Sequence, residues 1–158
     1  MLYLKLLGGG LLIAAGGFSA HTVSGFEKKR LSVLDAWIDL IFYIRGKIDC
    51  YLMPLDEILS SADQELLKAC MCSEPHPTLR ALLDRSSAYL TEEPKRLLNA
   101  FVKEIGSSYR EEQLRRCDYY IQTLRSEREK IAKELPARLR LSVSLSLCAA
   151  FAAAILLW

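Results

Sequence analysis

The chain carries the run "LSVSLSLCAAFAAAILLW", Leu141 to Trp158, which is eighteen residues without one formal charge. A second such run, "LLGGGLLIAAGGFSAHTVSGF", extends from Leu6 to Phe26, with His21 as its only titratable side chain and six of the chain's eight glycines inside it. A helix rises about 1.5 Å per residue, so each run reaches roughly 27 to 32 Å, close to the roughly 30 Å hydrocarbon core of a bilayer. The two runs are therefore expected to be membrane-spanning helices. The fold must be built from what lies between them.

That centre is charged and balanced. All nineteen acidic residues lie between Glu27 and Glu134, and nineteen of the twenty-one basic residues lie between Lys28 and Arg138. A formally neutral centre argues against a nucleic-acid partner, because binding by counterion release needs a basic surface. The expected divisions are 1–26 as an N-terminal transmembrane helix, 27–138 as a cytoplasmic domain and 139–158 as a C-terminal transmembrane helix. A cleaved signal peptide is the competing reading of the first run, since Lys5 precedes it and Ala20 offers a cleavage point. Against that stand Phe18, where a small residue is preferred, and the apolar character that continues to Phe26. Lys28, Lys29 and Arg30 follow the first run, while Lys130, Lys133, Arg138 and Arg140 precede the second. Cytoplasmic flanks are enriched in Lys and Arg, so both runs predict a hairpin with its centre in the cytoplasm. There the five cysteines, Cys50, Cys70, Cys72, Cys117 and Cys148, are expected to be free thiols.

The centre reads as all-α, with five to six short helices and no stretch that alternates as a strand does. Leu31, Leu34, Ile38, Ile41, Ile48 and Leu52 recur at spacings of three and four, interrupted by Arg45. Trp37, Leu40, Phe42, Tyr43 and Ile44 lie around other faces, so this helix is expected to pack on more than one side. Pro54 ends it near Leu52 and opens "PLDEIL". A short helix is expected over Asp63 to Met71, then a break at "SEPHP", then a helix over Leu79 to Leu90. Thr91 is the expected N-cap of "EEPKRLLNAFVKEI", which Gly106 stops. Ser108 and Glu111 have capping-box spacing for a last helix through Leu114, Ile121, Leu124, Ile131 and Leu135, kinked at Pro136.

Chemistry is harder to find. "CMCSEPH" sets Cys70, Cys72 and His76 close together, but a structural zinc site needs four ligands and no second pair follows. A membrane-anchored metal or redox protein using these three residues is the alternative from a different class. The glycine-rich run lacks the Lys and Ser/Thr of a phosphate loop, and adjacent acids such as Asp56/Glu57 and Glu111/Glu112 mark solvated helix starts. No enzyme activity, cofactor or bound metal is expected. The terminal runs instead carry small residues at i, i+4 spacing: Gly16, Ala20 and Ser24 in the first, and Ser142, Ser146, Ala150 and Ala154 in the second. In lipid, such ladders let helix backbones approach closely.

In layout and wording the chain resembles the stage III sporulation protein AB family. Leu4 to Ile13 read "LKLLGGGLLI", Met53 to Leu59 read "MPLDEIL", and Ile105 to Leu114 read "IGSSYREEQL", in the family's order and spacing. The chain departs from that pattern at Arg45 and Lys47, where the family tends to have acids, at Tyr51 for Gly, and at Tyr109 for Asp. The resemblance implies a helical bundle like the cytoplasmic domains of the type II secretion F platform proteins. It also implies a mother-cell membrane location and a scaffold role in the channel to the forespore. The implied partners are a cytoplasmic secretion-type ATPase and other membrane subunits of that channel. A platform subunit of a type II secretion or type IV pilus apparatus is the alternative within the class, though that arrangement usually repeats the helical domain. Expected partner contacts are Arg45, Lys47, Asp56, Glu57, Glu111, Gln113, Arg115 and Arg116.

Overall fold

The computed structural model describes the backbone of residues 2–51, 54–72, 74, 77–106 and 109–156. Side chains are described from Ser24 onward within these ranges, except for Tyr51 and residues 142, 143, 146, 147, 149–151 and 153–156. The described residues form α1 (Leu2–Tyr51), α2 (Leu55–Ser60), α3 (Gln64–Ala69), α4 (Leu79–Ser86), a 3-10 turn (Ser87–Tyr89), α5 (Glu92–Glu104) and α6 (Arg110–Leu156). The all-α expectation and the helical bundle hold.

The helix ends follow local chemistry. The Asp63 carboxylate accepts the Glu65 amide and the Thr78 hydroxyl accepts the Ala81 amide, capping α3 and α4. Thr91 occupies the N-cap position of α5 but makes no side-chain cap bond. Pro94 holds the third helical position and has no N–H, which removes one of the two donors an N-cap hydroxyl can use and leaves only the Glu93 amide. Instead of running to Leu90, α4 stops at Ser86. The Ser86 and Ser87 hydroxyls donate to the Leu83 and Asp84 carbonyls, which competes with continuation of the helix.

The end of α3 is a Schellman motif. Met71 N–H bonds to the Lys68 carbonyl and Cys72 N–H to the Leu67 carbonyl, with Met71 held at φ 67°. Such a position normally takes glycine. Here burial of Leu67 and Cys72 on either side holds the turn.

No glycine or proline separates Glu27 from Leu31, and good helix formers fill the gap, so α1 runs as one element through the first uncharged run and the first helix of the centre. Likewise α6 runs unbroken through Pro136. It begins at Arg110, so the N-cap position falls to Tyr109, whose carbonyl accepts the Gln113 amide. Ser108, the expected cap, lies outside the described residues. Gly106 does end the preceding turn, at φ +86°.

Tyr109 is 92% exposed and has no side-chain oxygen placed to cap. Tyr109→Asp is therefore expected to raise the unfolding free energy by about 0.5–1 kcal/mol in urea titration, and no gain would refute the assignment of the cap.

The chain divides into two compact units, residues 29–131 and residues 1–28 with 132–158. Among the described residues, no helix is long and apolar enough to cross a membrane. The two expected spans thus have no counterpart there. Their apolar side chains fall mostly outside the described set, and the described parts of the same helices carry the charges of Glu27 to Arg30 and of Lys130 to Arg140. Ser24 is half-buried; Gly16, Ala20, Ser142, Ser146, Ala150 and Ala154 have helical backbone, with their packing outside the description.

Unit 29–131 has one core. Trp37, Leu40, Ile41 and Ile44 of α1 meet Ile58 and Leu59 of α2, Leu82 and Leu83 of α4, Leu98 and Phe101 of α5, and Cys117 and Leu124 of α6. As expected, α1 packs on more than one side. Phe42 is the exception, being 60% exposed.

Candidate functional site

Among the described residues, cross-helix ion pairs from Asp35, Arg45 and Asp49 show how α1 and α6 meet within unit 29–131. Asp35 takes both arms of Arg128 at 2.9 and 3.1 Å, Asp118 takes both arms of Arg45 at 2.6 and 3.2 Å, and Asp49 takes Arg110 at 2.5 Å. As the numbering rises along α1 it falls along α6, so the helices are antiparallel. The C-terminal end of α1 lies beside the N-terminal end of α6. Arg110 strengthens that junction by donating to the Ile48 and Asp49 carbonyls, two groups that the end of α1 leaves without helical partners.

This junction brings together the two stretches expected to contact a partner, but their residues have different duties. Arg45 is committed to Asp118, a pairing that pushes its guanidinium further above its ordinary range. Arg116 donates to the Glu104 carbonyl at the end of α5 and to Glu112, and Arg115 pairs with Glu112 at 3.0 Å. Lys47 lies over the Tyr43 ring at 5.3 Å, and Gln113 is half-buried. Asp56 and Glu57 in the first turn of α2 and Glu111 in the first turn of α6 are exposed. The outward charge among the expected contacts is therefore acidic at Asp56, Glu57 and Glu111 and basic at Arg115, which is exposed beside Glu112.

The cysteines are all free, with Cys70, Cys72 and Cys117 buried and Cys50 and Cys148 exposed. Burial pushes the Cys70 thiol up to about 12 and the Cys117 thiol up to about 11. Both are thus protonated and poor nucleophiles at neutral pH. Among the described residues, no three His, Cys, Asp or Glu side chains are placed to hold a metal. His76 lies outside the described residues.

Sequence reasoning missed Asp35, Asp49, Asp118 and Arg128. The available signal was Arg45, a cation interrupting an apolar stripe, which implies an acid on whatever helix packs there.

The described residues thus form an all-helical bundle in which ion pairs from Asp35, Arg45 and Asp49 join α1 to α6. The family model for stage III sporulation protein AB matches residues 78–158, half of the chain, and the chain belongs to that family. Its role is accordingly in sporulation. The match takes in "IGSSYREEQL" and the second uncharged run; "LKLLGGGLLI" and "MPLDEIL" lie outside it. No curated protein and no solved structure matches the chain.

Proposed function

We propose that the chain is a non-enzymatic platform subunit of the sporulation channel complex. In this reading its helical unit is held in the cytoplasm by a two-helix membrane hairpin and docks a cytoplasmic secretion-type ATPase, linking it to other membrane subunits.

The observation that carries the proposal is the placement of the two kinds of surface. Among the described residues, the exposed large apolar side chains Phe26, Leu141 and Leu145 lie within the uncharged runs, in the unit formed by 1–28 and 132–158, while Phe42, Tyr109 and Tyr119 are exposed in unit 29–131. Exposed apolar groups of this size mark a surface meant for lipid or protein. The outward acids Asp56, Glu57 and Glu111 belong to the other unit. Apolar surface suits the bilayer, and acidic surface suits a basic face on a soluble partner.

Electrostatic docking of this kind speeds association and weakens with salt. The full chain in detergent should therefore retain the ATPase of its own organism at low ionic strength. Converting Asp56, Glu57 and Glu111 together to lysine should reduce retention about tenfold or more. Absence of binding by the unaltered chain at high concentration and low salt would sink the docking reading.

A further inference from the structure

The α1/α6 seam carries a groove of about 340 Å³ lined by Asp35, Ile38, Asp39, Arg125, Arg128 and Glu129. Asp35 and Arg128 are paired across it. Asp39 and Arg125 come next on the same two helices, yet have no hydrogen-bond or ion-pair partner among the described residues. One turn further along α1, Phe42 is 60% exposed. One turn beyond that stands Gly46, exposed in the middle of a helix.

A Cβ built on Gly46 meets nothing within 4 Å. Nothing in the chain itself therefore requires the glycine, although glycine within a helix costs roughly 0.5–1 kcal/mol relative to alanine. Asp35, Asp39, Phe42, Gly46 and Asp49 recur at spacings of three and four, so they share one face of α1.

From this face we infer that the α1/α6 seam is a self-association surface, and that its occupant is a second copy of this chain. The charges decide the occupant. A uniformly acidic or basic partner would meet repulsion from one half of the unpaired couple. A second copy related by a two-fold axis along the seam sets Asp39 of each copy against Arg125 of the other, satisfying both groups twice. Surfaces that meet about a two-fold axis must be complementary to themselves, and adjacent unpaired charges of opposite sign meet that condition. Phe42 supplies apolar area beside the charges, and Gly46 lets the opposing backbone or side chain come close.

The test uses the full chain in detergent, followed by sedimentation equilibrium. The unaltered chain should dimerise reversibly. Asp39→Arg alone and Arg125→Asp alone should each weaken the dimer about tenfold or more, because each homodimer then holds two like-charged contacts. Mixing the two variants in equal amounts should restore dimerisation, since the mixed pair has opposite charges at both contacts. An Asp39–Arg125 pairing inside one chain would be rescued only when both changes are in the same molecule, so failure of the mixture overturns the proposal. Gly46→Leu supplies a second reading: a Cβ here meets nothing within 4 Å and leucine favours the helix, so the lone chain should keep its fold, which circular dichroism checks. It should weaken the dimer about tenfold or more by overfilling the contact. A chain that stays monomeric at every concentration, or a dimer indifferent to all three variants, overturns it equally.

Discussion

Trp37→Ala is expected to lower the unfolding free energy by about 3–5 kcal/mol. Trp37 is fully buried and is the largest fully buried side chain among the described residues, lying on α1 against the core. Its indole N–H donates to the Ser86 hydroxyl at 2.9 Å, and that hydroxyl donates in turn to the Leu83 carbonyl at 3.2 Å. Ser86 is the one polar residue recorded as buried among the described residues. It sits where α4 gives way to the 3-10 turn, so a single hydroxyl ties α1 to the end of α4.

Ser86→Ala leaves a buried N–H with no acceptor and should cost about 1–3 kcal/mol. In a Trp37→Phe background that donor is absent, so Ser86→Ala should then cost less, the difference being the coupling between the two groups. Urea unfolding of the four proteins in this cycle measures it. Equal costs in both backgrounds would mean that the bond does not hold the helices together. A domain stable by about 5–15 kcal/mol in total would lose a large fraction of that to Trp37→Ala alone.

What the sequence made legible was mostly local. Pro54, Asp63, Gly106 and the apolar spacing of α1 and α6 each act over one or two helical turns, and they place helix ends to within a few residues. The burial of Trp37, Leu40 and Ile44 followed from the apolar width of α1. Long-range charge was not legible, because Asp35 and Arg128 lie 93 positions apart and no spacing rule links them. Phe42 misled for a related reason: its type suits a core, but on α1 it falls beside Asp35 and Asp39 on the outward face. Thr91 takes the cap position it was expected to take but makes no cap bond, with Pro94 removing one of its two candidate donors. The expected contact residues divided in the same way, with Arg45 and Arg116 drawn into helix-to-helix bonds while Asp56, Glu57 and Glu111 face outward.

At the other end of the core, Phe101→Ala should cost about 3–5 kcal/mol, because Phe101 is fully buried and packs edge-to-face on Tyr120 with ring centroids 5.4 Å apart. The same contact makes a pH-sensitive element. Tyr120 donates its hydroxyl to the Glu104 carboxylate at 3.0 Å. Burial first, and then that bond to an anion, push the hydroxyl up to about 12. The unfolded chain gives up this proton near its ordinary value of about 10, while the folded chain keeps it until near 12. The contribution of the bond is therefore complete below about pH 10 and is lost as the pH rises through the folded value. The buried Cys70 and Cys117 thiols act in the same direction from near pH 9, so the Tyr120 share must be isolated by difference. Tyr120→Phe should cost about 1 kcal/mol at pH 8, and that cost should shrink as the pH approaches 12, when measured by urea unfolding against the unaltered chain. A cost that stays constant from pH 8 to 12 would show that the Tyr120 proton is not held by Glu104. Arg116 acts on the same pair, since it binds the Glu104 carbonyl, lies 4.0 Å from the Glu104 carboxylate and its charge pulls the phenol down: Arg116→Ala should weaken the end of α5 and move the alkaline loss to higher pH.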